Sequence, residues 1–101
     1  MPNAQRVHHL QADFNGLFGD VLCLSHEASC RDESGNPVIL ESGMVAIAFE
    51  KDLDDRGQRE YLVAEGVVEP SPDWLKGSGS KWVLRINSRG VRHEPHFADR
   101  V

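Results

Sequence analysis

Two apolar segments joined by a charged connection constrain the fold of this chain more than any other feature. Residues 44–49 (MVAIAF) and 61–69 (YLVAEGVVE) are rich in β-branched and aromatic side chains, which favour β-strands. The intervening residues 50–60 (EKDLDDRGQRE) are charged and contain a glycine, as exposed turns do. The segment therefore predicts a β-hairpin with a long, mostly acidic tip.

Short apolar segments alternate with turn residues along most of the chain, which predicts a mainly β fold. Gly66 interrupts the second apolar segment and is typical of a bulge or a sharp bend. Five or six short, strongly bent strands in 101 residues predict a bent antiparallel sheet, or an SH3-like or OB-like barrel. We expect one domain, with a core over about residues 17–94 and a loose tail over residues 95–101.

The N-terminal residues 4–18 fit two interpretations. Apolar side chains at helical spacing favour a short helix, and Asn3 could cap it; they are Val7, Leu10, Phe14, Leu17 and Phe18. The alternative is a hairpin, because Asn15-Gly16 is a strong two-residue turn signal and Leu10, Ala12 and Phe14 alternate toward one face. The scarcity of β-branched residues favours the helix.

Alternation within the strands predicts the core. In residues 81–86 (KWVLRI) it directs Lys81 and Arg85 outward and Trp82 inward. The predicted core residues are Leu22, Leu24, Val45, Ile47, Phe49, Leu62, Trp82, Leu84 and Ile86. The Pro- and Gly-rich residues 70–80 are predicted to form an irregular connection that covers one end of the sheet.

Residues 87–90 (NSRG) predict a turn in which Gly90 has a positive φ, so that residues 81–93 form a final hairpin. Most of the basic residues lie near this segment. Residues 1–75 carry a net charge of −9 and residues 76–101 a net charge of +4. Such asymmetry is typical of a partner-binding face, although charge pairing between neighbouring strands also explains it.

No apolar segment approaches the length of a membrane helix, and the N-terminus lacks the apolar core of a signal peptide. We therefore expect a cytoplasmic protein in which Cys23 and Cys30 are reduced thiols. If residues 22–25 pair with residues 29–32, the two cysteines lie opposite one another.

The candidate sites for metal binding and catalysis are weak. Cys23, His26 and Cys30 could supply soft ligands to zinc, but their spacing lacks the paired cysteines of structural zinc sites. Ser25, His26 and Glu27 are adjacent in the chain, so an extended backbone directs them to opposite sides instead of assembling a triad. We expect no cofactor, no metal and no catalysis.

The sequence thus predicts a small non-catalytic interaction module that binds a protein partner or a second copy of itself. The predicted contact residues are Lys81, Arg85, Arg89 and Arg92 on the exposed face of the final hairpin. The acidic tip over Asp52–Asp55 is the complementary patch. A nucleic-acid-binding barrel that uses the same basic residues is the alternative, and a Cys/His metal-binding domain is another. Net acidity and the inward position of Trp82 argue against nucleic acid.

Overall fold

The structure, a computed structural model, describes residues 7–53 and 56–94. These residues form nine β-strands, one helical turn and one turn of 3-10 helix. The strands are β1 (His8–Gln11), β2 (Leu17–Phe18), β3 (Val21–Ser25), β4 (Ser29–Arg31), β5 (Pro37–Ile39), β6 (Val45–Leu53), β7 (Arg59–Pro70), β8 (Trp82–Ile86) and β9 (Arg92–Glu94). The 3-10 turn is Phe14–Gly16, and the helix α1 is Asp73–Lys76. The predicted mainly β fold is confirmed.

Seven strands form one mixed sheet. Six follow the order β1-β6-β7-β8-β3-β2, and β9 joins the same edge of β7 as β8. The strands β4 and β5 form a separate two-stranded sheet. The prediction of an antiparallel sheet is wrong in one respect, because β1 runs parallel to β6. The outer strands β1 and β2 do not pair with each other, so the main sheet is not closed into a barrel.

The predicted hairpin is confirmed by β6 and β7, but its predicted long tip over residues 50–60 is wrong, because residues 50–53 and 59–60 belong to the paired strands. Their register runs from Val45 opposite Val67 to Leu53 opposite Arg59. Asp54 and Asp55, at the predicted acidic tip, lie outside the described residues. Because β6 also pairs with β1, and β7 also pairs with β8 and β9, this hairpin forms the centre of the main sheet.

The predicted final hairpin is wrong. Strands β8 and β9 do not pair with each other; both pair with β7, β9 along residues 61–63 and β8 along residues 66–70. The turn between them is nevertheless as predicted, since Gly90 has a φ of 66° and its N–H donates to the Asn87 carbonyl at 3.0 Å. Gly66 lies where β8 begins to pair with β7, and the Arg85 backbone approaches it closely.

The predicted N-terminal helix is also wrong over the residues that the structure describes. Strand β1 replaces it, because Leu10 is fully buried beside Ala48 of β6 while Gln11 is exposed. The hairpin alternative fails too, since Asn15 and Gly16 belong to the 3-10 turn that the Asp13 side chain caps. Leu10 extends the core toward the N-terminus beyond residue 17.

The main core lies between one face of the main sheet and the small β4–β5 sheet. Its buried residues are Leu10, Leu22, Cys30, Leu40, Ala46, Ala48, Ala64, Val68, Leu84 and Ile86. Leu22, Leu84 and Ile86 are buried as predicted, and Phe49 is buried in a separate cluster with Val63. The remaining five predicted core residues are only partly buried: Leu24, Val45, Ile47, Leu62 and Trp82.

The assignment of faces along β6 explains part of this error. Ala46 and Ala48 point into the main core, whereas Val45 and Ile47 lie on the opposite face. Both faces of this strand are apolar, so alternation alone cannot distinguish them. The prediction that Val45 and Ile47 belong to the main core is therefore wrong.

Candidate interaction surface

A row of side chains crosses the main sheet on the face opposite the main core. The register of the strands β2, β3, β8, β7 and β6 aligns one residue from each. Directly paired residues project to the same face of a sheet, so these five form a continuous row. The row consists of Phe18, Val21, Arg85, Val67 and Val45.

The α1 connection covers one end of this face. Leu75 is buried against Val21 and Val83, as expected for a segment folding back over the sheet. Trp74 does not follow it inward and is 63% exposed. Its ring packs edge-on against Phe18, itself 49% exposed, with ring centroids 6.0 Å apart. The result is an exposed aromatic pair at the β2 edge of the sheet.

Beyond this pair the face stays partly apolar and accessible. Val67 is 38% exposed, and Val45 and Ile47 are half-buried. We call this surface the open face and define it by Phe18, Val45, Ile47, Val67, Trp74 and Arg85. At its far side begins the cluster of Phe49, Val63 and Tyr61, in which the first two are buried.

The open face is bordered on β7 by the carboxylates Glu65 and Glu69, which project to the same side as Val67. Arg85 is the cation within the open face, and two carboxylates hold it. Its Nε donates to Glu69 Oε1 at 3.0 Å, and its Nη1 lies 3.4 Å from Asp20 Oδ2. The hydrogen bond and charge of Glu69 raise the pKa of Arg85, and Asp20 adds to the effect. The guanidinium is therefore oriented across β7, β8 and the β2–β3 turn, with its charge largely compensated.

The structure distributes the four predicted contact residues over different parts of the surface. Arg85 lies on the open face, and Arg92 sits opposite Val63, about 13 Å farther along β7 at the usual rise per residue. Arg92 Nη1 pairs with Glu94 at 3.1 Å. Lys81 and Arg89 are exposed at the two ends of β8 and form no ion pair with any described residue.

The outward direction of Arg85 is as predicted from the sequence, but the aromatic pair is not predicted. The expectation that residues 70–80 cover one end of the sheet holds for Leu75 and not for Trp74, and the helix interpretation of residues 4–18 places Phe18 outside the sheet. Only the pairing of β2 with β3, which depends on the turn at Gly19 with a φ of 64°, brings the two rings together. The available signal was an aromatic residue inside a Pro- and Gly-rich connection, which is unusual for a purely solvated loop.

The two cysteines do not face each other across a hairpin. Strand β3, with Cys23, pairs with β2 and β8, whereas β4, with Cys30, pairs with β5. Both thiols are free. Cys23 Sγ lies 3.9 Å from His26 Nε2, but Cys30 donates to the Gln11 carbonyl at 3.3 Å. Within residues 7–53 and 56–94, no group of three or more His, Cys, Asp or Glu residues could hold a metal ion.

Trp82 packs against the main core, although the residue remains half-buried. A separate open cavity of about 580 Å³ lies beside β1 and contains the ion pair of His9 and Glu33 at 3.1 Å.

Comparison with known proteins gives no family for the chain. No protein-family model matches it, and the searches of curated proteins and of solved structures found no match either. Among the helices of the described residues, none has the length and apolar character needed to cross a membrane.

Proposed function

We propose that the chain is a non-catalytic interaction module that binds protein through the open face, with a second copy of itself as the partner. The observation that carries this proposal is the Phe18–Trp74 pair, whose rings contact each other at the sheet edge and remain half or more exposed. Isolated exposed apolar residues are common, but a contiguous aromatic patch with a polar rim is typical of an interaction site.

The composition of the open face supports the same function. Trp, Phe and Arg are enriched at protein interfaces, and Trp and Arg recur among the residues that contribute most to binding. Arg85 supplies an oriented guanidinium between the aromatic pair and the aliphatic Val67. Because Glu69 and Asp20 compensate its charge, the centre of the contact is expected to be mainly apolar.

A second copy also offers complementary charge. The exposed cations Lys81 and Arg89 form no ion pair among the described residues, and the chain as a whole is acidic. The predicted contact of Lys81, Arg85, Arg89 and Arg92 with the acidic tip therefore remains a proposal for the rim of the interface. The attraction between charges at the rim of an interface weakens as the salt concentration rises, whereas an apolar contact is not weakened. Measurements at two salt concentrations therefore separate the two contributions.

The likeness to SH3-like or OB-like barrels is supported only by the number of short strands and the bend at Gly66, and it remains a prediction. A cytoplasmic location is supported by two cysteines that are both free, as in a reducing compartment.

Sedimentation of the purified chain at low and physiological salt tests the proposal. We expect an assembly of more than one chain that persists in both salts for wild type. Trp74→Ala should shift the protein toward the monomer at both salts, because it removes half of the aromatic pair. Arg85→Glu/Arg89→Glu should weaken assembly further, since it leaves Glu69 and Asp20 without their cation.

The matched control is Ile39→Ala. Ile39 is 64% exposed, like Trp74, but lies on β5 in the small sheet. It should leave the sedimentation profile unchanged. A wild type that is monomeric at both salts, or a Trp74→Ala variant that sediments as wild type does, contradicts self-association through the open face. Assembly that is lost in physiological salt and only in the double variant supports the charge-based contact instead.

A further inference from the structure

The connection from β7 to β8 is closed at its base by two buried serines. Ser71 and Ser80 are each 3% exposed, and their Oγ atoms lie 2.8 Å apart. The Ser71 N–H also donates to the Lys81 carbonyl at 2.9 Å. These contacts bring together the two ends of the connection that carries α1, so we call Ser71 and Ser80 the neck.

A thiol from a third segment completes the neck. Cys23 of β3 donates through its Sγ to Ser80 Oγ at 3.1 Å. His26 is also close to the thiol, with its Nε2 3.9 Å from Sγ. Gly79 packs against this imidazole so closely that a Cβ there would lie 2.9 Å from Nδ1. A nucleophilic side chain is therefore close to both a hydroxyl group and a potential base.

The two cysteines of the chain differ sharply in environment. Cys30 is buried, donates to the Gln11 carbonyl, and has its pKa raised by burial. Cys23 is half-buried beside His26, which is exposed to solvent. Thiol reactivity requires both access for the reagent and loss of the thiol proton. The partial exposure of Cys23 allows the first, and the neighbouring His26 allows the second. Cys30 thus provides an internal reference for the reactivity of Cys23.

We propose that Cys23 is a modification site for peroxides and alkylating agents, and that its modification opens the neck and releases the α1 connection from the sheet. This inference does not depend on the open face binding a partner. For the reaction the S–H of Cys23 turns from Ser80 Oγ toward His26 Nε2, which accepts the proton and leaves a thiolate as the attacking group.

The chemistry is a simple displacement. With a peroxide, the thiolate attacks one oxygen, an S–O bond forms as the O–O bond breaks, and the second oxygen leaves as water or alcohol after taking up a proton. Sulfur is oxidised to the sulfenic acid while the peroxide is reduced. With iodoacetamide, an S–C bond forms and iodide leaves.

Either product changes the neck in the same way. The S–H donor to Ser80 is lost, and additional atoms occupy the space between the Cys23 sulfur and the serine hydroxyls. Ser71 and Ser80 are buried, so displacement of one leaves the hydroxyl group of the other without its hydrogen-bond partner, which destabilises the closed neck. Leu75 then remains as the main apolar anchor of α1, packed on Val21 and Val83.

The rate of iodoacetamide labelling, followed by intact mass, tests the site. Cys30→Ser retains only Cys23, and Cys23→Ser retains only Cys30. We expect the first variant to label at least about tenfold faster than the second while both are folded, in line with the greater access of its thiol. In wild type, cleavage after Glu27 separates the two cysteines, so fragment masses locate the label even if one variant does not fold.

His26→Gln, made in the Cys30→Ser background, should slow labelling near neutral pH. The matched control is His93→Gln, which changes an exposed histidine paired with Glu60 and should leave the rate unchanged. Equal rates for the two histidine variants would overturn the role of His26.

Opening of the neck is measured by limited trypsin digestion. Labelled protein should be cut after Lys76 faster than unlabelled protein, because α1 is then held mainly by Leu75 and detaches more often, and the tryptophan emission should shift as Trp74 leaves Phe18. Faster labelling of Cys30 than of Cys23 would overturn the site. Labelled Cys23 with unchanged cleavage and emission would overturn the release of α1.

Discussion

Gly66 lies in the middle of β7, where a side chain would collide with the neighbouring strand. A Cβ at this position would overlap the carbonyl oxygen of Arg85, and Gly66 is not among the glycines with positive φ. The glycine is therefore required by the close approach of β8, not by its own backbone conformation. Gly90 is the opposite case, since a Cβ there would meet nothing but its φ is 66°.

Gly66→Ala is expected to destabilise the fold by about 3 kcal/mol, because β8 must move away from β7 to accommodate the methyl group. Gly77→Ala is the matched control: Gly77 has a φ of −63° and no atom within reach of a new Cβ. That control should be neutral or slightly stabilising. Chemical denaturation measures both, and equal midpoints for the two variants would contradict the close approach.

The buried thiol of Cys30 is expected to make the folded state less stable at alkaline pH. Burial raises the pKa of its thiol above the ordinary value of 9.0. In the unfolded chain the thiol ionises first, which stabilises the unfolded state. The contribution of Cys30 is therefore fully present below pH 9 and is lost as the pH rises through the higher folded pKa.

The melting temperature should thus fall more steeply between pH 8 and pH 10 in wild type than in Cys30→Val, which has no thiol to ionise. Cys23→Ser retains Cys30 and is expected to follow the wild-type slope. Parallel profiles for wild type and Cys30→Val would show that Cys30 does not cause the pH dependence.

At the scale of the elements, the β6–β7 hairpin meets the main core mostly through alanine side chains, with Val68 as the larger exception. Ala46, Ala48 and Ala64 are fully buried, and Ala48 lies directly opposite Ala64. Leu10 and Leu22, which are also fully buried, contribute larger side chains to the same core. The three alanines therefore leave room for the larger residues that pack over them.

Ala64→Leu is expected to destabilise the fold by about 1–3 kcal/mol, since the larger side chain has no space in the core. Ala28→Leu makes the same change at an exposed position and should have little effect. Thermal unfolding distinguishes them, and an Ala64→Leu variant as stable as Ala28→Leu would mean that the core has unfilled space there.

The sequence predicts an element well where its signals are local. The β6–β7 hairpin and the turn at Gly90 follow from composition and glycine placement, and the structure has both. The identity of β1 depends instead on a partner strand far along the chain, because only contact with Ala48 decides that Leu10 belongs to a strand. The same applies to β9, which pairs with β7 and not with its nearest neighbour in sequence, β8.

The candidate site shows the same limit. The outward direction of Arg85 follows from alternation, which is a local property of a strand. The contact between Phe18 and Trp74 cannot be obtained this way, since it joins a two-residue edge strand to a helical turn far away in the chain. Nor does the sequence reveal that Glu69 and Asp20 converge on Arg85 from two different strand regions.

For the molecule as a whole, part of the charge asymmetry between the two ends of the chain is satisfied internally. Arg85 and Arg92 belong to the basic C-terminal part; Arg85 meets acidic groups of the N-terminal part at Glu69 and Asp20, and Arg92 pairs with its neighbour Glu94. The positive charge left to attract a partner is therefore smaller than the sequence suggests. The exposed aromatic pair, and not net charge, is therefore the main feature that distinguishes the open face.

The parallel pairing of β1 with β6 has a consequence for the order of folding. A ribosome makes His8 before Ala46, yet these residues are partners in the sheet. Strand β1 must therefore wait, with its hydrogen-bonding groups facing water, until β6 has emerged. Closing so long a loop is also entropically slower than forming the adjacent β6–β7 hairpin. Strand β1 is thus synthesised before its partner strand but joins the sheet after the β6–β7 hairpin has formed.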